Sequence, residues 1–305
     1  MRAVVVGGGA WGTAFAKLLR ERGHEATLAV RDASRAYPYG LPATAIADAP
    51  YGDAELVVIA VPSRAFREVV EALPQLPNRA PVLSLTKGLD PATGERLSTL
   101  VRGRGVAVLS GPNMAEEVAA GLPGATVVAS EDDALALRLQ DAINSTVFRV
   151  YVNTDLTGVE LCAAAKNVIA LAAGGVDGLG LGDNAKAALI TRGLVEMSRL
   201  GEALGADSET FAGLAGMGDL IVTCWHPSGR NRRAGELIAR GATPEEARAE
   251  IGQVVEGLTT APVLRDLSHR LGIELPITEG VCAVLEGLPL SGLVEGLMGR
   301  RPTEE

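Results

Sequence analysis

One lysine of the chain stands in an unusual setting. Lys166, followed by Asn167, interrupts an otherwise apolar helical run over residues 161–173. Burial disfavours the charged form of an amine, and the lowered pKa that results suits proton transfer near neutral pH. A surface lysine, whose stem lies along apolar neighbours while its ammonium reaches water, would give the same pattern. Spacing alone leaves both interpretations open, a general acid/base and a surface residue.

Anion binding is the second chemistry that the sequence offers. The chain of 305 residues has a formal net charge of −9, so it would repel a nucleic acid and needs a local cluster of cations for any anionic ligand. Arg230, Arg232 and Arg233 form such a cluster, which is either a phosphate site or a solvated surface run. Asp219, in a tight segment with two glycines, is either a catalytic carboxylate or a turn or N-cap residue.

A third motif fits dinucleotide binding. Residues 7–12 read GGGAWG, which matches G-x-G-x-x-G between an apolar run and a helical run. In this arrangement Gly7 permits the tight turn, Gly9 lets a pyrophosphate approach the backbone, and Gly12 allows close helix packing. The helix N-terminus, where Ala10 and Trp11 lie, supplies positive potential. The motif predicts NADP(H) or NAD(H) as the cofactor.

The position that reads the ribose, about 20 residues further on, holds Arg31 beside Asp32. An arginine pairs with the 2′-phosphate of NADP(H), whereas an aspartate accepts from the free ribose hydroxyl of NAD(H). A solvated pair at a strand end fits the sequence equally well. We expect NADPH to be preferred to NADH or accepted equally, with Asp32 turned toward solvent or toward Arg35.

The elements that position these motifs alternate along the chain. Short Val-rich apolar runs predict a parallel sheet buried on both faces, over residues 3–6, 26–30, 56–61, 82–85, 106–109, 125–129 and 147–152. Helical spacing over residues 11–22 and 64–72 adds a β-α-β order. The sequence therefore predicts an α/β, Rossmann-type, doubly wound domain over residues 1–153.

After residue 153 the pattern becomes helical. Thr157 and Glu160 predict a capping box that starts a helix rich in Ala and Leu. Further helices are predicted over residues 185–204, 233–240, 244–251 and 260–271. Residues 154–305 are therefore expected to form an all-α domain that binds substrate and carries the catalytic residues.

Composition narrows the class of protein. Cys162, Cys224 and Cys282 lack the paired spacing of zinc or redox motifs, so we expect no metal site and a reducing, cytoplasmic location. The most apolar run contains Lys166 and falls short of the roughly 18 apolar residues of a membrane span, so no membrane contact is expected.

Longer strings carry a more specific signal than these motifs. Residues 161–197 read LCAAAKNVIALAAGGVDGLGLGDNAKAALITRGLVEM, which closely resembles the NAD(P)-dependent glycerol-3-phosphate dehydrogenase family. Further matching strings occur in family order across nearly the whole chain: GGGAWGTAFA from residue 7, TKGL from 86, SGPNMAEEV from 110, GMGDLIVTC from 216, SGRNRRAGE from 228 and QVVEG from 253.

The resemblance implies roles for single residues. Lys166 would be the general acid/base and Asn167 would help to orient it, while Asp219 would tune the charge on Lys166 and bind a substrate hydroxyl, with support from Thr223. The phosphorylated substrate would also meet Lys87, Gly111, Asn113, Gly229, Arg230 and Asn231. The cofactor would also meet Lys87, Ala115, Arg230, Val254 and Glu256.

The chain departs from the family pattern at two places. Residues 32–53 form a shorter segment than is usual after the second strand, retaining only the Leu-Pro pair at 41 and 42, which leaves coenzyme selectivity and the local lid open. Gly229 separates Ser228 from Arg230, so backbone N–H donation to phosphate is expected there rather than donation from a serine side chain.

The family implies a homodimer that reversibly reduces dihydroxyacetone phosphate to sn-glycerol 3-phosphate for phospholipid synthesis. Two other functions stay open from the residues alone. One is a related reductase of a 2-keto or 3-hydroxy carboxylate, because arginine also binds carboxylate. The other is a non-catalytic, nucleotide-binding regulatory module, in which a buried Lys166 beside Asn167 would be an unexplained cost.

Overall fold

The computed structural model describes residues 1–73 and 80–290. It divides into two compact units, one of Met1–Ala163 with Leu204–Asp219, the other of Ala164–Ala203 with the chain from Leu220. This division differs from the boundary that the sequence indicates after residue 153. The reason is packing, because a cluster of buried apolar side chains joins the later residues to the sheet: Val108, Val127, Ala129, Leu156, Val159 and Ala215. As a division of function, the boundary after residue 153 stays a prediction.

The described part of the first unit contains an eight-stranded sheet. Its strands are β1 (Arg2–Val6), β2 (Glu25–Val30), β3 (Ala43–Ala45), β4 (Leu56–Ile59), β5 (Val82–Ser84), β6 (Val106–Ser110), β7 (Gly124–Ala129) and β8 (Phe148–Asn153). They lie in the order β3-β2-β1-β4-β5-β6-β7-β8. The predicted α/β Rossmann-type sheet and its seven predicted strands are confirmed.

Two features of the sheet were not predicted from the sequence. The three-residue strand β3 follows the shortened segment and pairs parallel to β2, and the sequence analysis missed it. Strand β7 runs antiparallel to β6. The connection between them carries only the five-residue helix α3 (Ala115–Ala119), whereas parallel neighbours need a longer crossover, usually a full helix.

Helices cover both faces of this sheet. Phe15 and Leu19 of α1 (Ala10–Glu21) and Leu139 of α4 (Asp133–Ile143) belong to the apolar cluster on one face. Phe66 of α2 (Ser63–Ala72) belongs to the cluster on the other face. With strands buried on both sides, the first unit has the layered order that the βαβ pattern predicts.

The second unit is helical in its described residues, as predicted. The remaining α-helices of the described residues are α5 (Leu156–Gly178), α6 (Gly182–Ala203), α7 (Ser208–Ala212), α8 (Asp219–Trp225), α9 (Arg230–Ala239), α10 (Pro244–Ile251), α11 (Glu256–Leu271) and α12 (Pro276–Leu285). Helix α5 is long and apolar enough to cross a membrane, but 89% of its most apolar window is buried inside the protein, as in the core helix of a globular fold.

The predicted capping box at the start of α5 is wrong. Asp155 caps the helix instead, since its Oδ1 accepts from the Gly158 amide at 2.8 Å. The Glu160 carboxylate accepts from the Ser98 amide at 2.9 Å, and burial raises the pKa of that carboxyl. Because the buried Glu160 carboxylate has its hydrogen-bond partner elsewhere in the fold, it does not cap the start of α5.

Glycines allow α5 and α9 to pack with their backbones in close approach. A Cβ on Gly174 would lie 1.8 Å from the Arg232 carbonyl oxygen, and one on Gly235 would lie 1.9 Å from the Leu171 carbonyl oxygen. Real side chains do not occur at such distances. The sequence therefore fixes how the start of α9 lies against the helix that carries Lys166.

We expect Gly235→Ala to destabilise the protein by about 3 kcal/mol, because overpacking against backbone cannot be relieved by a rotamer change. The midpoint of thermal unfolding should fall by roughly 5 °C or more, measured by circular dichroism. Gly213→Ala is the matched control, since its Cβ would meet the nearest atom at an ordinary 3.4 Å. Equal midpoints for the two variants would contradict the close packing.

Candidate functional site

The glycine-rich turn has the geometry of a dinucleotide site. Gly7 has φ +121°, and a Cβ there would lie 2.3 Å from the Ala60 carbonyl oxygen, while a Cβ on Gly12 would lie 2.2 Å from the Gly7 carbonyl oxygen. A Cβ on Gly9, the N-cap of α1, would meet no atom within 4 Å. The turn is thus closed on the protein side and open beside a helix N-terminus, as a pyrophosphate requires.

Trp11 lies in the first turn of α1, directly after Ala10. Its ring meets Phe15 edge to face at 5.9 Å between centroids. Its buried indole Nε1 has no hydrogen-bond partner within the described residues. A buried donor of this kind is uncommon, and its place beside the open turn fits a ligand as the missing acceptor.

The two candidates for reading the ribose, Arg31 and Asp32, have different surroundings in the structure. Arg31 is exposed directly after β2. The Asp32 Oδ1 accepts from the Ser34 hydroxyl at 2.6 Å and from the Ser34 amide at 3.1 Å, and these bonds lower the pKa of Asp32. Arg35 adds a weaker electrostatic attraction. The carboxylate is therefore held by its own loop.

Lys87 and Asp219 form a pair that the sequence analysis did not foresee. The Lys87 Nζ lies 2.7 Å from the Asp219 Oδ2 and donates to the Gly111 carbonyl oxygen at 3.1 Å. The Ser110 hydroxyl also donates to the Asp219 Oδ2, at 3.4 Å. The Asp219 side chain is only 2% exposed, and the Lys87 ammonium helps to compensate its buried charge.

A π-helical segment, Leu214–Gly218, places Asp219 at the start of α8. The Gly218 amide donates to the Gly213 carbonyl at 3.1 Å, and a Cβ on Gly216 would lie 2.1 Å from the Phe211 carbonyl oxygen. Segments of this kind often occur at functional sites. The first glycine of the motif, Gly216, is therefore required by the close backbone approach, and the π-helical segment supports more than an ordinary turn role for Asp219.

Asn113 holds the turn after β6 in place. Its Nδ2 donates to the Ala125 carbonyl at 3.0 Å, and its Oδ1 accepts from the Thr126 hydroxyl at 2.8 Å. Ala115 starts the short helix α3 that follows. The amide of Asn113 is thus largely engaged by β7, and its contact with a substrate stays a prediction.

Lys166 belongs to the second unit and is buried. The residue is 5% exposed, and its Nζ donates to the Thr223 hydroxyl of α8 at 2.7 Å. The surface interpretation is therefore wrong, because the residue is buried. The predicted support from Thr223 corresponds to this hydrogen bond.

Asn167 and Asn231 meet in the interior of the second unit. The Asn231 Nδ2 donates to the Asn167 Oδ1 at 2.8 Å, and the Asn231 Oδ1 accepts from the Gly257 amide at 2.9 Å. This chain of bonds joins α5, α9 and α11. Val254 precedes α11, and Glu256 is its first residue.

The three arginines of the cationic cluster have different surroundings. Arg230 is exposed in the first turn of α9. The Arg232 guanidinium is bound to Asp177 at 2.6 Å, and the Arg233 guanidinium lies 3.9 Å from the Glu250 carboxylate. Of the three, Arg230 is the one best placed to meet an external anion.

The backbone donation expected of Gly229 is not available. Its amide donates to the His226 carbonyl oxygen at 3.0 Å. Amides in the first turn of a helix have no acceptor within the helix. The donors that α9 can offer to an anion therefore belong to the residues after Gly229, beginning with Arg230 and Asn231.

Two family models match the chain. The model described as NAD-dependent glycerol-3-phosphate dehydrogenase N-terminus matches residues 33–136, and that of the C-terminus matches residues 155–293. A glycerol-3-phosphate dehydrogenase [NAD(P)+] of Halorhodospira halophila is 45% identical over 99% of this chain and 97% of the relative.

Solved structures give the same result. The crystal structure of glycerol-3-phosphate dehydrogenase from Coxiella burnetii has a TM-score of 0.94 and 37% identity, covering 98% of this chain and 99% of that one. A ketopantoate reductase of the PanE/ApbA family from Ralstonia eutropha has a TM-score of 0.59 and 16% identity, covering 96% of this chain and 100% of that one, a likeness of fold alone. With its glycine-rich turn, its buried lysine and full-length matches of this kind, the chain belongs to the NAD-dependent glycerol-3-phosphate dehydrogenase family.

Proposed function

We propose that this protein is an NAD(P)-dependent glycerol-3-phosphate dehydrogenase that interconverts dihydroxyacetone phosphate and sn-glycerol 3-phosphate. The observation that carries the proposal is the burial of Lys166, whose Nζ donates to the Thr223 hydroxyl. The chain that holds this lysine matches the family over its whole length. A regulatory module without turnover would not explain the buried ammonium, because removing a charge from water costs free energy.

Lys166 is the proton donor in this proposal. The bound nicotinamide supplies or accepts the hydride. As the ketone carbon is reduced, its oxygen gains negative charge, and the Lys166 Nζ delivers a proton to it. In the reverse direction the neutral amine accepts the hydroxyl proton. The Thr223 hydroxyl, 2.7 Å from the Nζ, fixes the direction of the amine in both cases.

The Lys87–Asp219 pair binds the polar end of the substrate. Asp219 accepts from a substrate hydroxyl, and Lys87 stabilises the oxygen that becomes negative. The pair is preformed at 2.7 Å, so little reorganisation accompanies the reaction. The tuning of Lys166 by Asp219 belongs to the same proposal, as does the substrate contact of Asn113.

Phosphate recognition belongs to the start of α9. Arg230 supplies a guanidinium, and the first-turn amides of Arg230 and Asn231 supply neutral donors at the positive end of the helix dipole. Gly229 contributes the tight turn before the helix rather than a donor, because its amide is bound to His226. Arg230 also reaches the nucleotide in this proposal, together with Lys87, Ala115, Val254 and Glu256.

We expect NADPH to be preferred to NADH or used equally well, since Arg31 is exposed at the end of β2 while Asp32 is held by Ser34. Arg31→Ala should then lower the ratio of kcat/KM with NADPH to that with NADH by about 10-fold, the scale of one charge-assisted hydrogen bond. A ratio that the substitution leaves unchanged would show that Arg31 does not read the 2′-phosphate.

The proposed activity is tested by a substrate panel. NADPH oxidation is followed at saturating nucleotide with dihydroxyacetone phosphate, with a branched 2-keto carboxylate and with no carbonyl compound. Turnover of dihydroxyacetone phosphate alone is the expected result. Turnover of the keto acid in its place would assign the protein to the carboxylate reductases, and no turnover of either would leave a nucleotide-binding module.

We also propose a cellular location, an oligomeric state and a metabolic role for the enzyme. We expect it to act in the cytoplasm as a homodimer, with its product entering phospholipid synthesis. Its three cysteines are buried and form no disulfide in the described residues, which suits a reducing compartment. Analytical ultracentrifugation would measure the oligomeric state.

A further inference from the structure

Three charged side chains of the second unit have no part in the function proposed above. Asp177 lies in the last turn of α5, and its Oδ2 is 2.8 Å from the Lys186 Nζ and 2.6 Å from an Arg232 Nη1. The two cations are almost buried, with side-chain exposures of 6% and 11%. Although burial raises the pKa of Asp177, the two cations together hold it below its ordinary value.

The Arg232 guanidinium has two further acceptors, both in the backbone. Its Nε donates to the His226 carbonyl oxygen at 3.2 Å, and an Nη2 hydrogen goes to the Pro227 carbonyl oxygen at 2.9 Å. These residues form the turn between α8 and α9. The planar guanidinium has several donors in a fixed geometry, so it can bind two carbonyl oxygens and a carboxylate at once. A lysine ammonium cannot do this.

Lys186 supports the other end of the same turn. Its Nζ lies 4.9 Å from the ring centroid of Trp225, the last residue of α8. The turn leaves little room for a side chain at its last residue, since a Cβ on Gly229 would lie 3.0 Å from the Thr223 carbonyl oxygen. The two cations on Asp177 therefore fix the chain from Trp225 to the first residues of α9.

We propose that Asp177 is a positioning residue for substrate phosphate: it orients Arg232, which draws the His226 and Pro227 carbonyls toward itself and so fixes the first turn of α9. Carbonyl oxygens repel an anion. Because Arg232 holds these two carbonyls, the groups that face the phosphate are the first-turn amides of α9 and the Arg230 guanidinium. The inference rests on the proposed function, in which α9 binds that phosphate.

Loss of Asp177 should leave the unit folded. Arg232 keeps a second carboxylate, Glu236, at 3.0 Å on its own helix, so its charge stays compensated. Lys186 keeps its contact with Trp225. Asp177→Asn also keeps a side-chain oxygen that can accept from the Lys186 Nζ, so the expected defect is a loosened turn in a folded unit.

Calorimetric titration with inorganic phosphate tests the inference without turnover. Compared with the parent, Asp177→Asn should raise the Kd for phosphate about 10-fold, because small displacements of a positioned group have effects of this size or larger. Glu286→Gln, which removes a 2.6 Å ion pair with Arg265 elsewhere in the unit, should leave the Kd unchanged. A parent that binds no phosphate, or an unchanged Kd in Asp177→Asn, would overturn the inference.

Steady-state kinetics separate positioning from general stability. In Asp177→Asn the KM for dihydroxyacetone phosphate should rise about 10-fold, while kcat/KM for unphosphorylated dihydroxyacetone should stay within about twofold of the parent. Equal losses with both compounds would mean a merely structural role. Arg232→Lys keeps the charge but cannot hold both carbonyls, so it should show the same split and carries the test if Asp177→Asn does not fold.

Failure of this inference can be told from failure of the proposed function. A parent that binds inorganic phosphate but does not turn over dihydroxyacetone phosphate would contradict the dehydrogenase proposal alone. The phosphate titrations of Asp177→Asn and Glu286→Gln would still decide the role of Asp177.

Discussion

Replacing Lys166 by methionine is expected to lower kcat for dihydroxyacetone phosphate by about 10³-fold, while the Kd for NADPH changes less than about twofold. General acid/base groups contribute roughly 10²- to 10⁴-fold, and this one acts on the transition state rather than on the nucleotide. Methionine keeps the apolar stem at a position that is 5% exposed, so the helix should remain packed. Steady-state rates and a fluorescence titration with NADPH measure the two quantities.

Lys166→Arg separates proton transfer from charge. A guanidinium stays protonated at working pH and cannot cycle as a base, so this variant should be nearly as slow as the methionine variant. Near-normal turnover in either variant would remove Lys166 from the mechanism. A large loss of NADPH affinity would instead assign it to the nucleotide site.

Removal of the Arg230 guanidinium has the second large expected effect. Arg230→Ala should lower kcat/KM for dihydroxyacetone phosphate by about 10- to 150-fold, equivalent to roughly 1.5 to 3 kcal/mol for a hydrogen bond to a charged group. Most of the loss should lie in KM, because the phosphate is bound equally in the ground state and the transition state.

Arg233→Ala is the matched control for this variant. Arg233 is an exposed arginine of the same helix, 3.9 Å from the Glu250 carboxylate, and exposed pairs of this kind contribute little. Its kcat/KM should stay within about twofold of the parent. Similar losses in the two variants would mean that the arginines act through the general field of the cluster and that Arg230 has no specific contact.

The fold was predictable because its signals are periodic and local. Apolar runs such as Leu56–Ile59 are buried on both faces, so their composition alone indicates strands of a parallel sheet. Pro244 at the start of α10 and Gly252 after it mark a helix whose bounds agree with the sequence analysis. Strand β3 was missed because three residues, Ala43–Ala45, carry no periodicity.

The candidate site was predictable only in part, since its pairings are long-range. Thr157 and Glu160 have the spacing of a capping box, yet the carboxylate of Glu160 bonds to Ser98, which lies far away in sequence. Nothing local joins Lys87 to Asp219 either. The burial of Lys166, which excludes a surface lysine, depends on packing around α5 that spacing cannot reveal.

Backbone donors escape sequence analysis for a related reason. Backbone donation was expected at Gly229 because this residue separates Ser228 from Arg230, but the turn after α8 uses the Gly229 amide to bond the His226 carbonyl. A motif therefore shows which residues surround an anion better than it shows which atoms bind it. The π-helical segment Leu214–Gly218 gave no signal beyond its glycines.

The central claim is that the enzyme recognises a phosphorylated three-carbon ketone, and the ratio of kcat/KM for dihydroxyacetone phosphate to that for dihydroxyacetone tests it most directly. Two or three charge-assisted hydrogen bonds to phosphate, at roughly 1.5 to 3 kcal/mol each, correspond to a ratio of about 10³ or more. The measurement follows NADPH oxidation at saturating nucleotide with each compound. A ratio near or above 10³ is the predicted result, and a ratio close to one would contradict the account.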